Sequence, residues 1–426
     1  MAEFTATVYQ NEFLPEGGTD IHAIVSLQCS GAGSVATATT PGQAGEVIVV
    51  DTSGSMQPQG VQAAAFAASA ALDQIPDGVL FAVVAGNHQA RLCYPNRGRI
   101  GLEQMSPQAR MEAKHALTQL YADGGTAMGS WLLAAAQLFE TVPGLVKRHV
   151  ILLTDGKNEH ETPTALTHAI ETVRGRFQCD CRGLGAAWDV SEVRRIGEAL
   201  LGSVDLIRSW DAMPAEFARM MQASMARGVA DAQLRVWAPQ GAEVLFVRQV
   251  SPTLEDLTAR GASVNPLTRA YPTGAWGDET RDYHVAVRLA AKALGAEQLG
   301  ARVQLVVGEE VMAQGLVKAK WSGDAALTAQ ISPEVAHYTG QTELASAIQE
   351  GLRAKAVGDD ATATTRLGRA VQLARETGDE AATDRLRRVV EIEDAATGRV
   401  HLRRDVDKLD EMELDTASTK TSRVKR

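Results

Sequence analysis

Aromatic residues are scarce in this chain, at 5% of its 426 positions. With so few rings, stacking platforms for single-stranded nucleic acid are not expected. A formal net charge of −10 argues against nucleic acid or an anionic membrane as the main target. There are only four cysteines, Cys29, Cys93, Cys179 and Cys181, scattered in a way that demands no disulfide framework. Long apolar runs are missing too: the stretch Val61–Leu72 is Ala-rich and far shorter than the ~20 residues a bilayer-spanning helix needs. The opening MAEFTATVYQNEF has neither a basic segment nor an apolar core, so no signal peptide is expected and a cytoplasmic location is. No Gly-x-x-x-x-Gly-Lys-Ser/Thr phosphate loop occurs, which removes an intrinsic ATPase. No Gly-x-Ser-x-Gly elbow with a downstream acid and histidine occurs either.

What is present is an ordinary globular balance, 45% apolar and 22% charged, on a chain too long for one core, so two or three domains are expected. Abundant Ala, with Arg outnumbering Lys, hints at a GC-rich bacterial genome. Three runs near the start, FTATVYQ, HAIVSLQCS and SVATATT, read as strands between turn-rich segments. GEVIVVD is a continuous apolar run ending in an acid, as a fully buried parallel strand would be. From there to about residue 227, strand and helix patterns alternate, which implies a mostly parallel sheet with helices on both faces. Beyond residue 230 the runs AQLRVWAPQ, AEVLFVRQV, DYHVAVRLA, RVQLVVGEE and LTAQISP are β-like. The expected architecture is a Rossmann-like, doubly wound α/β domain at 44–228, inserted into a β-sandwich built from 1–43 and 229–336. A helical segment at 337–397 follows, with Gly358-Asp359 and Gly378-Asp379 as helix stops, and then a disordered tail at 398–426.

Ligands of open α/β sheets bind at the carboxyl ends of strands, near the point where strand order reverses. Three segments put oxygen side chains at such places: Asp51-Thr52-Ser53-Gly54-Ser55 after IVV, Gly124-Gly125-Thr126 after a helix end, and Asp155-Gly156 after VILLT. Asp51, Ser53, Ser55, Thr126 and Asp155 supply two carboxylates and three hydroxyls, hard donors without sulfur or imidazole. That set suits Mg²⁺, which takes octahedral oxygen ligands at roughly 2.1 Å and keeps some waters. Mn²⁺ is the other candidate ion. Each segment alone is weak, because an Asp beside a Ser often only caps a helix.

The order Asp-x-Ser-Gly-Ser, then Gly-Gly-Thr, then Thr-Asp-Gly resembles the metal-ion-dependent adhesion site of the von Willebrand factor A family, across residues 45–227. The resemblance implies that Ser53 and Ser55 bind the ion directly and that Thr126 does so when the site is engaged. It implies that Asp51 and Asp155 act mostly through water, leaving the ion open to a Glu or Asp of a protein partner. It also implies binding without turnover, and in relatives ligation can move the last helix of the domain, here about 212–227.

Other features read more plainly. Cys179 and Cys181 share one face of a strand and are expected to be reduced and structural. Glu159-His160-Glu161 with His168 is not a zinc-protease pattern and reads as a solvated loop and helix start at the rim of the site. The leading expectation is a non-enzymatic scaffold or regulator, of a kind found beside Ser/Thr kinases and forkhead-associated proteins. The alternatives are an adaptor for an AAA+ ATPase in metal insertion or enzyme maturation, and a metal-dependent hydrolase. The last is disfavoured because no second metal cluster and no nearby histidine base are expected. In the acid-flanked tail, Thr416 and Thr419 are candidate phosphoacceptors for a kinase and a forkhead-associated reader.

Overall fold

The computed structural model describes residues 2–33, 43–96, 98 and 100–424. Two compact units form, one of residues 32–231 with 274–277, the other of 1–31, 232–273 and 278–426.

In the first unit a sheet runs in the order Val204–Ile207, Gln178–Leu184, Lys147–Thr154, Ala44–Asp51, Leu80–Gly86, Ala90–Tyr94. The first five strands are parallel, and Ala90–Tyr94 is antiparallel. Every residue of Ala44–Asp51 is buried, because helices cover both faces. Ile48 and Val50 pack with the helices Gln57–Leu72, Pro107–Leu117 and Met213–Met225. On the opposite face the helix Met128–Glu140 presses Trp131 and Phe139 onto glycines: a Cβ on Gly86 would lie 2.5 Å from the Trp131 ring, and one on Gly45 3.1 Å from Phe139. Chain order reverses beside the central strand, whose neighbours Leu80–Gly86 and Lys147–Thr154 lie on opposite sides. The switch point therefore opens at Asp51 and Thr154.

The amino ends of the same strands hold a buried ionic cluster that the sequence reading did not find. His149 lies between two carboxylates, Nδ1 at 2.6 Å from Glu46 and Nε2 at 2.9 Å from Asp180. Lys147 donates to the Ser224 carbonyl and hydroxyl, and Ser224 Oγ donates to Glu46 at 2.9 Å. This fixes the end of the closing helix Met213–Met225, and Arg182 holds its first turn through Glu216 at 2.6 Å.

The second unit contains a five-stranded and a six-stranded sheet. Asp20–Ser30 sits between Glu3–Gln10 and Thr280–Arg288, all antiparallel. The sheets face each other closely: a Cβ on Gly315 of the six-stranded sheet would lie 2.6 Å from Val8 of the other. SVATATT lies outside the described residues. LTAQISP is not a strand: its first two residues end the short helix Ala325–Thr328, which Asp324 caps by accepting from Ala326 N at 2.8 Å, and its Pro333 opens the next helix. Helices Pro333–Ala356, Asp360–Glu376 and Glu380–Val389 follow. Gly358 and Gly378 end the first two with positive φ, and Asp359 and Asp379 cap the next two.

The expected disordered tail is ordered over its described residues, 398–424. Arg399–Leu402 pairs with Val390–Asp394, and Asp407 caps the helix Lys408–Ala417. Leu414 joins the cluster of Leu344, Leu386 and Val389, while the acids pair with neighbouring helices, Glu413 with Arg388 at 3.0 Å and Glu411 with Lys355. Thr416 is 2% exposed and donates to Met412 O at 2.8 Å, and the Thr419 carbonyl accepts from Leu254 N at 2.7 Å. This is not the open segment that a kinase groove takes.

Candidate metal centre

Asp51 is the last residue of the central strand and is fully buried. One carboxylate oxygen accepts from Ser53 N at 2.8 Å, the other from Thr154 Oγ1 at 2.8 Å. Both contacts position it, and Thr154 is a residue to which the sequence reading gave no role. The backbone then turns sharply: Gly54 N donates to Gly124 O at 2.8 Å, and Asp123 N donates to Thr52 O at 2.8 Å. These bonds bring the Gly124-Gly125-Thr126 loop against the Asp51–Ser55 loop. Ser53 Oγ and Ser55 Oγ are 2.9 Å apart, and Ser55 Oγ donates to Asp155 Oδ1 at 2.6 Å. A Cβ on Gly156 would lie 3.1 Å from Ser55 Oγ and 3.2 Å from Thr126 Oγ1. Both hydroxyls thus face the space over Gly156 that the glycine keeps open. All five sequence-derived residues converge at one end of the sheet.

Electrostatically the centre is short of positive charge. Burial pushes the Asp51 carboxyl up to about 6, helped by the Asp155 charge and opposed by its bonds to Ser53 and Thr154. Burial also raises Asp155, against its bond from Ser55. Among the described residues no cluster of three or more His, Cys, Asp or Glu could hold an ion, so any cation here depends on the hydroxyls.

The rim differs from expectation. His88 and His160 lie directly on the glycine pair: a Cβ on Gly124 would be 2.0 Å from His88 Nδ1, and one on Gly125 1.9 Å from the His160 ring. Histidines therefore do stand at the site, brought there from loops that only the fold makes adjacent. Thr126 N donates to His160 Nδ1 at 3.3 Å and His160 N to Thr126 O at 3.0 Å. Glu159 and His160 are exposed and Glu161 is half-buried, as a solvated loop requires, and His160 and Glu161 also hold hydrogen bonds to Thr126 and Gly129. His168 lies in the helix Pro163–Val173. Cys179 and Cys181 are free and buried, with sulfurs 3.7 Å apart. No described helix is long and apolar enough to cross a membrane.

Comparison with known proteins agrees with this fold. Residues 47–205 match the von Willebrand factor type A domain, and residues 372–418 match the von Willebrand factor type A C-terminal domain. A solved von Willebrand factor type A protein from Catenulispora acidiphila is 46% identical with a TM-score of 0.93, over 99% of this chain and 97% of that one. The ArnB paralog VWA2 from Sulfolobus acidocaldarius shares the fold at 14% identity and a TM-score of 0.61, over 98% of each chain. An uncharacterized protein of Synechocystis is 30% identical over 219 residues, and the match spans 50% of this chain and 50% of that protein. From its strand order, the gathering of its oxygen side chains and a likeness that runs nearly end to end, the chain belongs to the von Willebrand factor type A family.

Proposed function

We propose that this protein is a non-enzymatic binding module that holds the Asp or Glu carboxylate of a protein partner through a Mg²⁺ ion at Asp51, Ser53, Ser55, Thr126 and Asp155. The observation that carries the reading is the space over Gly156, faced by Ser55 and Thr126 hydroxyls and bounded by Asp155. Hard neutral and anionic oxygens in that number suit Mg²⁺ or Mn²⁺ over softer ions. The raised Asp51 and Asp155 carboxyls also support it, since a dication would favour their charged forms. When bound, the ion supplies a Lewis-acidic position for a carboxylate oxygen. Asp51 has protein donors on both oxygens, which suits a role one water away from that position.

The hydrolase alternative gains two nearby histidines, His88 and His160, of which His160 is not placed as a base. His160 Nδ1 accepts the Thr126 amide proton, so the ring proton of the neutral form sits on Nε2, a donor. The experiment is capture of partners from native cells by the full chain and by Ser53→Ala, with and without EDTA. A partner held by the wild type and lost both with EDTA and in the variant fits the proposal. Capture insensitive to both would contradict it.

A further inference from the structure

The helix Met128–Glu140 begins just after Thr126, and its N-cap, Ala127, has no side chain able to cap it. The first amides of a helix need acceptors from somewhere. Here they come from the loop that follows Asp155. Met128 N donates to Asn158 Oδ1 at 2.7 Å, and Gly129 N to Glu161 Oε1 at 2.6 Å. Thr126 itself is held twice by His160, amide to Nδ1 at 3.3 Å and carbonyl from the His160 amide at 3.0 Å. The His160 ring lies over Gly125, where a Cβ would come within 1.9 Å of it. Asn158 is anchored in turn, its amide donating to Glu192 Oε2 at 3.3 Å. The segment that carries Asp155 thus grips the segment that carries Thr126, and His160 is the residue that touches Thr126 directly.

We propose that His160 is a positioning residue that sets the Thr126 hydroxyl against the metal; the inference rests on the metal-binding reading above. His160 is not a ligand in this account: its Nδ1 is occupied by the Thr126 amide, and it acts through backbone geometry. Outer contacts of this kind alter metal affinity by roughly 10–100-fold when removed. Gly125 belongs to the same device, because only a residue without a Cβ leaves room for the ring.

The test is Mn²⁺ binding by the full chain, read from free Mn²⁺ in electron paramagnetic resonance, alongside thermal melting of the metal-free protein. His160→Ala is expected to weaken Mn²⁺ binding about tenfold or more. His160→Asn, whose Oδ1 can take the place of Nδ1 as acceptor, is expected to restore most of it. Gly125→Ala, which displaces the ring without touching an ion ligand, is expected to match His160→Ala. A merely structural role would lower the metal-free melting temperature and leave Mn²⁺ affinity unchanged. If wild type does not bind Mn²⁺, the metal-binding reading itself fails. If wild type binds and His160→Ala binds equally well, or His160→Asn is as weak as Ala while both are folded, the positioning role is overturned and the metal-binding reading stands.

Discussion

Replacing His149 with Ala is expected to destabilise the α/β unit by about 3–5 kcal/mol, the range for removing one member of a buried ion cluster. The ring is 1% exposed and Glu46 0%, so bulk water does not reach the charges that the substitution strands. The ring now satisfies Glu46 at 2.6 Å and Asp180 at 2.9 Å, and its loss leaves both short of a partner. Burial would lower the His149 value, but the Glu46 charge and the bonds to Asp180 and Glu46 outweigh it and raise it. A raised folded value contributes stability that is fully present below the ordinary ~6.5 of histidine and is lost as pH rises through the folded value. Asp180 and Glu46 run the other way. Burial would raise each, but the His149 contacts, with Arg227 for Asp180 and Lys147 for Glu46, bring them below the usual range. Their contribution is present above pH ~4 and is lost as pH falls through the lowered values. The comparison is therefore best made near pH 6. Hydrogen exchange of strand peptides from 147–154 and 178–184 reads this unit separately from the rest of the chain. Adding Glu46→Gln to His149→Ala removes one of the stranded charges, so the double variant should lose less than the sum of the two singles. A loss below about 1 kcal/mol, or strict additivity, would refute the reasoning.

Gly86→Ala drives a Cβ to 2.5 Å from the Trp131 ring and should destabilise by about 1–3 kcal/mol; an unchanged melting temperature would count against the packing described. Thr416→Glu places a carboxylate where 2% of the residue is exposed and should loosen the helix Lys408–Ala417, seen as faster exchange of its amides. Unchanged protection there would mean that the position tolerates charge. Deleting residues 2–30 removes both Glu3–Gln10 and Asp20–Ser30, leaves the Thr280–Arg288 strand without that neighbour and should give an aggregating protein by light scattering. A monodisperse truncation with unchanged melting would contradict the sheet order.

The parallel core was legible because Val47–Val50 is an unbroken apolar run ended by an acid, as a strand buried on both faces requires. The oxygen-bearing residues were legible because each stands where a strand or helix stops. What could not be read depends on register between distant segments. Glu46 and His149 are 103 positions apart and meet because their strands pair in parallel at that step. Asn158 and Glu161 give no local sign that they cap a helix beginning some 30 positions earlier, since that helix's own N-cap is an alanine. The last helix escaped notice because its buried apolar side chains, Met412, Leu414 and Ala417, are few and stand among acids. Those acids read as tail charge until Arg388 and Lys355 are brought to them.

The central claim is that Asp51, Ser53, Ser55, Thr126 and Asp155 form a centre for one divalent oxygen-ligated cation. Calorimetric titration of Mg²⁺ into the full chain, beside Asp51→Ala and Ser53→Ala, tests it most directly. The account predicts a single Mg²⁺ bound by wild type and binding abolished in both variants. Their folds should stay largely intact, Asp51→Ala costing about 1–3 kcal/mol for the buried donors of Ser53 and Thr154 that it leaves unpaired. Equal Mg²⁺ affinity in all three proteins, or none in wild type, would contradict it.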